Sequence, residues 1–200
     1  MSSFGGTARC VDRVTDLLVN SGYEVIHFHA SGPGGRALEA LTAKGEIAGV
    51  VDVTTHELTD LVVDGVYSAG DCRLRAASAA GIPQVIVPGA IDHSNFWVGQ
   101  IPAQFRQREF VQFNANNMLM RTDADEFARL GKLMADRLND AHSPFVVMIP
   151  TRGFSEHTMR KTHDIDGRDA GLWNKPEVDR VFIETLRTHL KTGTVEELDM

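Results

Sequence analysis

The chain has 200 residues, of which 42% are hydrophobic and 24% are charged, and its formal net charge at pH 7 is −7. This balance is typical of a globular chain and excludes disorder, a coiled coil or a fibrous repeat as the main description. An acidic chain without a cluster of lysines and arginines is a poor candidate for binding nucleic acid. The chain also lacks any apolar run near the roughly 18 residues that cross a membrane.

Strand-like and helix-like segments alternate along the chain. In chain order, we predict a helix over residues 7–20, strands over 24–30 and 47–53, a helix over 71–80, a strand over 84–87, a weaker strand over 110–113, a helix after residue 123, a strand over 145–149 and a helix over 176–190. The strands are rich in Val, Ile and Phe, and the helices carry apolar residues three or four positions apart. Asp123 and Glu126 have the spacing of a capping box.

This alternation predicts an α/β fold, a Rossmann-like three-layer αβα sandwich with a mainly parallel sheet. The chain shows no internal repeat, low-complexity tract or linker-like composition, so we expect a single domain over residues 1–200. Residues 89–109 and 151–175 show no periodicity and are predicted to be irregular. Long irregular loops in a compact domain are often functional.

Small and polar residues follow nearly every predicted strand. Ligands of open parallel sheets bind outside the carboxyl ends of the strands, so these residues predict a binding rim. The alternative is ordinary turn chemistry, which favours the same residue types. The candidate ligand-binding residues are Gly5, Gly6, Thr7, Ser31, Gly32, Gly34, Gly35, Arg36, Thr54, Thr55, Gly89, Asn95, Asn114, Asn117 and Arg152.

The glycine-rich turn after the second strand has the pattern G-x-G-x-x-A, from Gly32 through Gly34 to Ala37. Asp52 lies 20 positions after Gly32, which is the spacing of an NAD- or FAD-binding fingerprint. That fingerprint normally follows the first strand, and here an earlier strand and helix precede it. We therefore favour another phosphorylated or carboxylated ligand, and keep dinucleotide binding and a plain turn as alternatives.

Two acidic residues after strands are candidate catalytic bases. Asp92 and Glu57 are placed where a carboxylate could take a proton from a ligand, which makes a hydrolase or lyase an alternative to simple binding. We predict no metal site, because no third ligand accompanies His27 and His29 at a spacing typical of metal sites. The two cysteines form no disulfide framework and the amino terminus lacks a signal pattern, so a cytoplasmic location is expected.

Several segments resemble one protein family. The sharpest similarity is G-I-P-Q-V-I-V-P-G-A-I-D over residues 81–92, continuing to Asn95 and Phe96. Residues 25–39, 51–57 and 68–77, together with Asn114, Asn117 and the segment to residue 122, complete the resemblance. The family is the largely uncharacterised Tm-1-like ATP-binding family, relatives of the tomato mosaic virus resistance protein.

The resemblance implies a partner and a ligand. Family members have two α/β halves, and this chain resembles the carboxy-terminal half, so we expect a homo-oligomer or a partner that carries the other half. The family name implies a nucleotide, with ATP as the candidate cofactor. The viral-resistance relative adds a third alternative, a protein-interaction module. The chain departs from the family at its first strand, reduced to residues 1–4, and at its early end at residue 200.

Overall fold

Two β-sheets and six α-helices organise the chain in a computed structural model, which describes residues 1–199. In chain order, the strands are β1 (Ser2–Ser3), β2 (Phe28–His29), β3 (Val50–Thr54), β4 (Gln84–Gly89), β5 (His93–Trp97), β6 (Phe110–Gln112), β7 (Asn117–Arg121), β8 (Phe145–Pro150), β9 (Lys161–His163), β10 (Asp169–Leu172) and β11 (Thr194–Leu198). The helices are α1 (Ala8–Asn20), α2 (Pro33–Ala43), α3 (Glu57–Val63), α4 (Ala76–Ala80), α5 (Ala124–Asn139) and α6 (Pro176–His189). Short 3₁₀ helices are formed by Gly5–Thr7, Ala103–Phe105 and Glu156–Met159.

The first sheet has six parallel strands in the order β11-β8-β4-β3-β1-β2. Helices flank it, so the predicted Rossmann-like three-layer α/β fold is confirmed. The largest core cluster joins strand residues such as Ile86 and Val147 to Phe127 and Phe182 on the packed pair α5 and α6. The apolar runs of the central strands are therefore explained by burial under helices.

The amino-terminal cap of α5 matches the predicted capping box. The Asp123 side chain accepts the amide of Glu126 at 2.9 Å, and Glu126 accepts the amide of Asp123 at 3.0 Å. These two bonds satisfy amides that would otherwise face the helix end without partners, which fixes where α5 begins.

Two predicted elements are shorter than expected. The strand over residues 24–30 contains only β2, because its neighbour β1 has two residues and offers no ladder beyond them. The helix over residues 71–80 contains only α4, because Leu74 has a φ of 64° and cannot continue a right-handed helix. The Glu39 carboxylate accepts the amides of Leu74, Arg75 and Ala76 and thereby begins α4 at that point.

The prediction that residues 89–109 and 151–175 are irregular is wrong. They supply three strands of a second, antiparallel sheet in the order β10-β9-β6-β7-β5. These strands have three to five residues, and β6 pairs with β9 at Phe110 and His163, so the local pattern carries little periodicity. Phe96, Phe110 and Met120, which lie on strands of this sheet, pack together in a buried apolar cluster.

The second sheet begins at the carboxyl end of the first. Only residues 90–92 separate β4 from β5, and Ala90 among them adopts a φ of 59° while fully buried. This sharp connection brings β5 over the ends of the parallel strands. No helix within residues 1–199 is both long and apolar enough to span a membrane.

Candidate functional site

Three buried histidines from three strand ends meet at the carboxyl edge of the parallel sheet. His56 follows β3, His93 follows β4 as the first residue of β5, and His157 lies in the 3₁₀ helix after β8. The ring centroids of His56 and His93 are 5.9 Å apart, and those of His93 and His157 are 5.5 Å apart. Phe4, after β1, stacks on His56 at 4.1 Å. We call His56, His93 and His157 the histidine cluster.

Four ring nitrogens of the histidine cluster have no hydrogen-bond partner among residues 1–199, although each is buried. They are Nδ1 and Nε2 of His56, Nε2 of His93 and Nδ1 of His157, and we call them the open ring nitrogens. Buried polar atoms in proteins are nearly always hydrogen-bonded, so such a group points to a bound water or ligand.

Burial keeps two of these rings neutral. It lowers the pKa of His56 well below its ordinary value, and the nearby His93 adds to the effect. Burial, and then His93, also lower the pKa of His157 to about 4. A neutral imidazole carries one N–H donor and one acceptor nitrogen. The cluster can therefore both donate to and accept from a ligand at pH 7.

The depressed pKa of His157 predicts a pH-dependent contribution to stability. Between pH 6.5 and about 4 the unfolded chain binds a proton at this residue that the folded chain does not. The free energy of unfolding therefore falls as the pH drops through this window, by about 2 kcal/mol for this residue. We expect the stability advantage of the wild type over His157→Gln to shrink by that amount between pH 7 and pH 4 in urea titrations.

His27→Gln, which replaces an exposed ring, is the matched control for this experiment. The urea midpoint of that variant should follow the wild type across the whole pH range. A constant difference between wild type and His157→Gln from pH 7 to pH 4 would contradict a neutral, buried His157.

Asp92 lies beside the cluster and is held by three donors. Its Oδ1 is 3.2 Å from Nδ1 of His93, and its Oδ2 accepts from Ser155 Oγ and Trp173 Nε1, both at 2.7 Å. Burial alone would raise the pKa of Asp92, but the hydrogen bond from His93, the charge of Arg121 and the Trp173 bond hold it well below its usual range. Asp92 is therefore an ionised carboxylate with its oxygens already engaged.

The glycine-rich turn before α2 is capped from inside the protein. Oε1 of Glu57 accepts the amide of Gly32 at 2.6 Å and that of Gly35 at 3.2 Å. A β-carbon on Gly35 would overlap the Glu57 carboxylate. The Gly32 and Gly35 amides, predicted to bind a ligand anion, are thus bonded to a carboxylate of the chain itself. The same carboxylate balances the positive end of the α2 dipole.

Arg73 ties this carboxylate into a buried ion network. Its guanidinium binds Asp52 through two bonds of 2.6 and 2.7 Å, Glu57 at 2.6 Å and Glu39 at 3.4 Å. All four side chains are buried. Asp52 therefore does not present a carboxylate to a ribose, and the geometry does not favour dinucleotide binding. Glu57 is likewise occupied by Arg73 and by the α2 amides.

Asn95 and Asn117 belong to a second buried network. Asp60 accepts the backbone amides of Asn95 at 2.7 Å and Tyr67 at 3.0 Å. Asn117 donates to Asn95 Oδ1 at 3.3 Å and to the Tyr67 hydroxyl at 3.1 Å. Burial raises the pKa of Asp60 to about 7 despite the bonds from Asn95 and Tyr67. Asn114, which is exposed, accepts two amides in the hairpin turn.

Thr54 and Gly89 pack the strand ends together. The Thr7 and Thr54 hydroxyls are 2.6 Å apart, and a β-carbon on Gly89 would overlap the Val53 carbonyl oxygen. Thr55 donates to the carbonyl of residue 87 at 3.5 Å. These residues lie at the predicted rim, but most of their polar groups serve contacts within the protein.

Two predicted arginines lie apart on the surface. Arg36 is exposed near Ser31 and donates to the Ser68 carbonyl at 3.3 Å. Arg152 is exposed, bonds Asp199 at 2.7 Å, and lines a cleft of about 490 Å³ between α6 and the ends of β8 and β11. Charged side chains of that cleft are already paired, Arg187 with Glu197, Arg152 with Asp199 and Asp179 with Arg121. We therefore regard the histidine cluster as the stronger candidate site.

The amino-terminal end of α1 differs from the other helix ends near the site. Within the described chain, neither Thr7 nor any other side chain caps α1, and no acidic residue lies in its first turn. By contrast, carboxylates of Glu57 and Glu39 meet the starts of α2 and α4. We call the segment Gly5–Thr7 and the first turn of α1 the open helix terminus. Within it, the Thr7 and Ala8 amides donate to the Phe4 and Gly5 carbonyls, so the Gly5 and Gly6 amides are the ones available to a ligand.

The open helix terminus borders the histidine cluster. A β-carbon on Gly6 would lie 3.6 Å from Nε2 of His157 and 3.4 Å from the β-carbon of Ser155. The predicted Gly5, Gly6 and Thr7 are thus the candidate ligand residues that the structure brings beside the histidine cluster. No group of three His, Cys, Asp or Glu side chains in residues 1–199 is placed to hold a metal ion.

Sequence reasoning missed the histidines as site residues. His56 and His93 lie in the polar segments that follow predicted strands, so their position could have indicated them. His157 and Trp173 lie in a stretch without periodicity, where no local signal marks them. Phe4 follows the two-residue strand β1 and has the sequence pattern of an ordinary apolar residue.

Comparison with known proteins gives a family. The model of the "Uncharacterised protein family (UPF0261) C-terminal domain" matches residues 1–200. A UPF0261 protein of Clostridium tetani is 39% identical over 198 residues, which cover 98% of this chain and 47% of that protein. One from Mesorhizobium japonicum is 37% identical over 192 residues, covering 96% of this chain and 46% of that protein. The tomato "ToMV resistance protein Tm-1(GCR237)" is 41% identical over 156 residues, covering 78% of this chain and 21% of that protein.

Proposed function

The chain belongs to the UPF0261 family, whose carboxy-terminal domain it matches over residues 1–200. We propose that it binds a small phosphorylated or carboxylated metabolite at the carboxyl ends of its parallel strands. The chain spans about half the length of the bacterial relatives it matches, so the activity of the longer proteins is also a matter of proposal. The observation that carries the proposal is the set of open ring nitrogens beside the open helix terminus.

The anionic group of the ligand binds at the open helix terminus. Backbone amides at the start of a helix point outward, and the helix dipole favours negative charge there. Gly5 and Gly6 lack side chains that would block this approach, and His157 lies directly beneath Gly6. An anion at this position can accept a hydrogen bond from the neutral His157 ring.

The remainder of the ligand lies against aromatic side chains. Phe4 covers His56, and the Tyr67 and Trp97 rings meet edge to face at 5.6 Å. Phe113 is 41% exposed, and its ring lies 3.5 Å from where a β-carbon on Gly5 would be. Such faces stack on planar groups. A nucleotide such as ATP is therefore one member of the proposed ligand class.

Thermal unfolding with added ligands tests the proposal. We expect ATP, sugar phosphates or small carboxylates to raise the Tm of the wild type, because a ligand that binds only the folded state stabilises it. Gly5→Asp places a carboxylate at the open helix terminus and should abolish the ligand-induced shift, while leaving the Tm of the free protein equal or slightly higher.

Gly49→Asp adds the same charge at an exposed glycine away from the site and is the matched control. Its ligand-induced shift should equal that of the wild type. If no phosphorylated or carboxylated compound shifts the wild-type Tm, or if Gly5→Asp retains the full shift, the proposed binding site is wrong.

A protein-interaction surface is the second candidate function. Trp97 is 37% exposed, Val98 is 40% exposed and Phe113 is 41% exposed, and clustered apolar side chains at a surface mark interaction sites. The partner proposed here is a second copy of the chain or a domain such as the other half of the longer relatives. Replacing Trp97 and Phe113 with serine would then weaken assembly.

The free and exposed cysteines Cys10 and Cys72 support a reducing, cytoplasmic location, which we include in the proposal.

A further inference from the structure

Asp92 and His93 form a buried carboxylate–imidazole pair within the histidine cluster. An ionised carboxylate only accepts hydrogen bonds, so the 3.2 Å contact from Asp92 Oδ1 to His93 Nδ1 places the ring proton on Nδ1. Nε2 of His93 then has a free lone pair. That atom is one of the open ring nitrogens, buried and without a partner in residues 1–199.

The pair is held rigidly in place. Trp173 Nε1 and Ser155 Oγ fix the Asp92 carboxylate from the other side, both at 2.7 Å. Thr122 binds the preceding loop twice, through its amide to the Asp92 carbonyl at 3.0 Å and through its hydroxyl to the Ile91 carbonyl at 2.8 Å. A carboxylate that orients one imidazole nitrogen leaves the other aimed as a base.

The strained residue Ala90 lies just before this pair. Its φ of 59° is rare for a residue with a side chain, and its amide donates to the Phe154 carbonyl at 2.6 Å. Backbone strain of this kind persists where the surrounding structure enforces it, and it concentrates at functional sites. The loop is thus built to hold Asp92 and His93 at the end of β4.

We propose that His93 transfers protons at Nε2 to and from the bound metabolite, with Asp92 as its positioning residue. This inference rests on the proposed function, because the substrate is the ligand that binds beside the cluster. The Ser155 hydroxyl donates to Asp92, so it is not the group that gives its proton to His93 Nε2. In the proposed reaction that proton comes from the substrate.

The substrate class is a phosphorylated or carboxylated metabolite with a C–H bond next to a carbonyl group. The lone pair on His93 Nε2 takes that proton, and the electron pair of the C–H bond moves toward the carbonyl oxygen to give an enolate. His93 becomes an imidazolium whose charge Asp92 balances. Return of the proton to carbon regenerates the neutral ring, so no other reactant is needed.

The neighbouring rings can stabilise the enolate. His56 and His157 are neutral at pH 7 and each carries one N–H that can donate to the developing oxyanion. This arrangement differs from the sequence-based expectation that Asp92 or Glu57 is the base. Asp92 has its oxygens engaged by His93, Ser155 and Trp173, and Glu57 is paired with Arg73.

Hydrogen–deuterium exchange at carbon tests this inference. Dihydroxyacetone phosphate and pyruvate are the probes, since they carry a phosphate or a carboxylate and a C–H bond next to a carbonyl. We expect the wild-type protein in D2O to accelerate loss of the C–H proton signal at pH 7.5 well above the buffer rate. His93→Ala should lower the protein-catalysed rate at least about 100-fold, the usual contribution of a general base.

Three further measurements separate chemistry from folding. Added imidazole should restore exchange in His93→Ala, an effect that a purely structural role does not produce. Asp92→Asn should lower the exchange rate while the probe still raises the Tm. His29→Gln, which replaces an exposed ring at the adjacent strand end, should keep the wild-type exchange rate.

The outcomes distinguish the inference from the proposed function. If a probe raises the wild-type Tm but its C–H exchange stays at the buffer rate, the inference is wrong and the proposed binding stands. If neither probe nor any compound of the thermal screen raises the Tm, the proposed function fails and the inference fails with it. Exchange that persists in His93→Ala without imidazole would assign the base to another residue.

Discussion

Replacing Arg73 with methionine is expected to lower the free energy of unfolding by about 3 to 5 kcal/mol, because it leaves buried carboxylates without their counter-charge. Arg73 is fully buried and contacts Asp52, Glu57 and Glu39. Methionine fills similar volume without any donor, so the loss reports on the ion network rather than on a cavity. Urea-induced unfolding followed by circular dichroism measures the change.

Arg168→Met is the matched control for this prediction. Arg168 also pairs with two carboxylates, Asp164 at 3.3 Å and Asp166 at 2.8 Å, but on the exposed surface. Exposed ion pairs contribute little to stability, so this variant should unfold at nearly the same urea concentration as the wild type. Equal midpoints for the Arg73 and Arg168 variants would contradict a structural role for the buried network.

Replacing Gly34 with alanine is expected to destabilise the protein by about 2 to 3 kcal/mol. A β-carbon on Gly34 would overlap the carbonyl oxygen of His29, so α2 could no longer lie this close to β2. Alanine inside a helix is otherwise more stable than glycine by about 1 kcal/mol. The sign of the change therefore distinguishes close packing from ordinary helix propensity, and thermal or urea unfolding reports it.

Gly49→Ala provides the control for steric overlap. The nearest atom to a β-carbon on Gly49 is the Pro83 carbonyl oxygen at 3.8 Å, an ordinary contact distance. This variant should be as stable as the wild type. A Gly34→Ala variant that is equally stable would show that the α2 turn has more room than the structure gives it.

Much of the parallel sheet could be predicted from the sequence. The strand predicted over residues 84–87 became β4 (Gln84–Gly89), and the helix predicted after Asp123 became α5 with the expected cap. These elements are long and regular, and their burial gives a periodic pattern of apolar residues, so the local sequence indicates them. The second sheet could not be predicted, because pairs such as Phe110 with His163 lie far apart in the chain.

The sequence predicted an edge of the sheet but not which side chains gather there. The structure brings Phe4, His56 and His93 together at the carboxyl ends of the parallel strands. The sequence could not show that Glu57 accepts the Gly32 amide, since 25 positions separate them. Which helix terminus stays open for a ligand depends on such long-range contacts, and only the folded structure reveals them.

The most direct test of the account is a titration of the ¹⁵N-labelled protein with ATP, followed through its backbone amide resonances. We predict chemical-shift changes at Gly5 and Gly6 of the open helix terminus, together with changes in the ring resonances of His157. The amide resonances of Gly32 and Gly35, whose N–H groups already donate to Glu57, should not shift. Shifts confined to Gly32 and Gly35, with none at Gly5 and Gly6, would contradict the account.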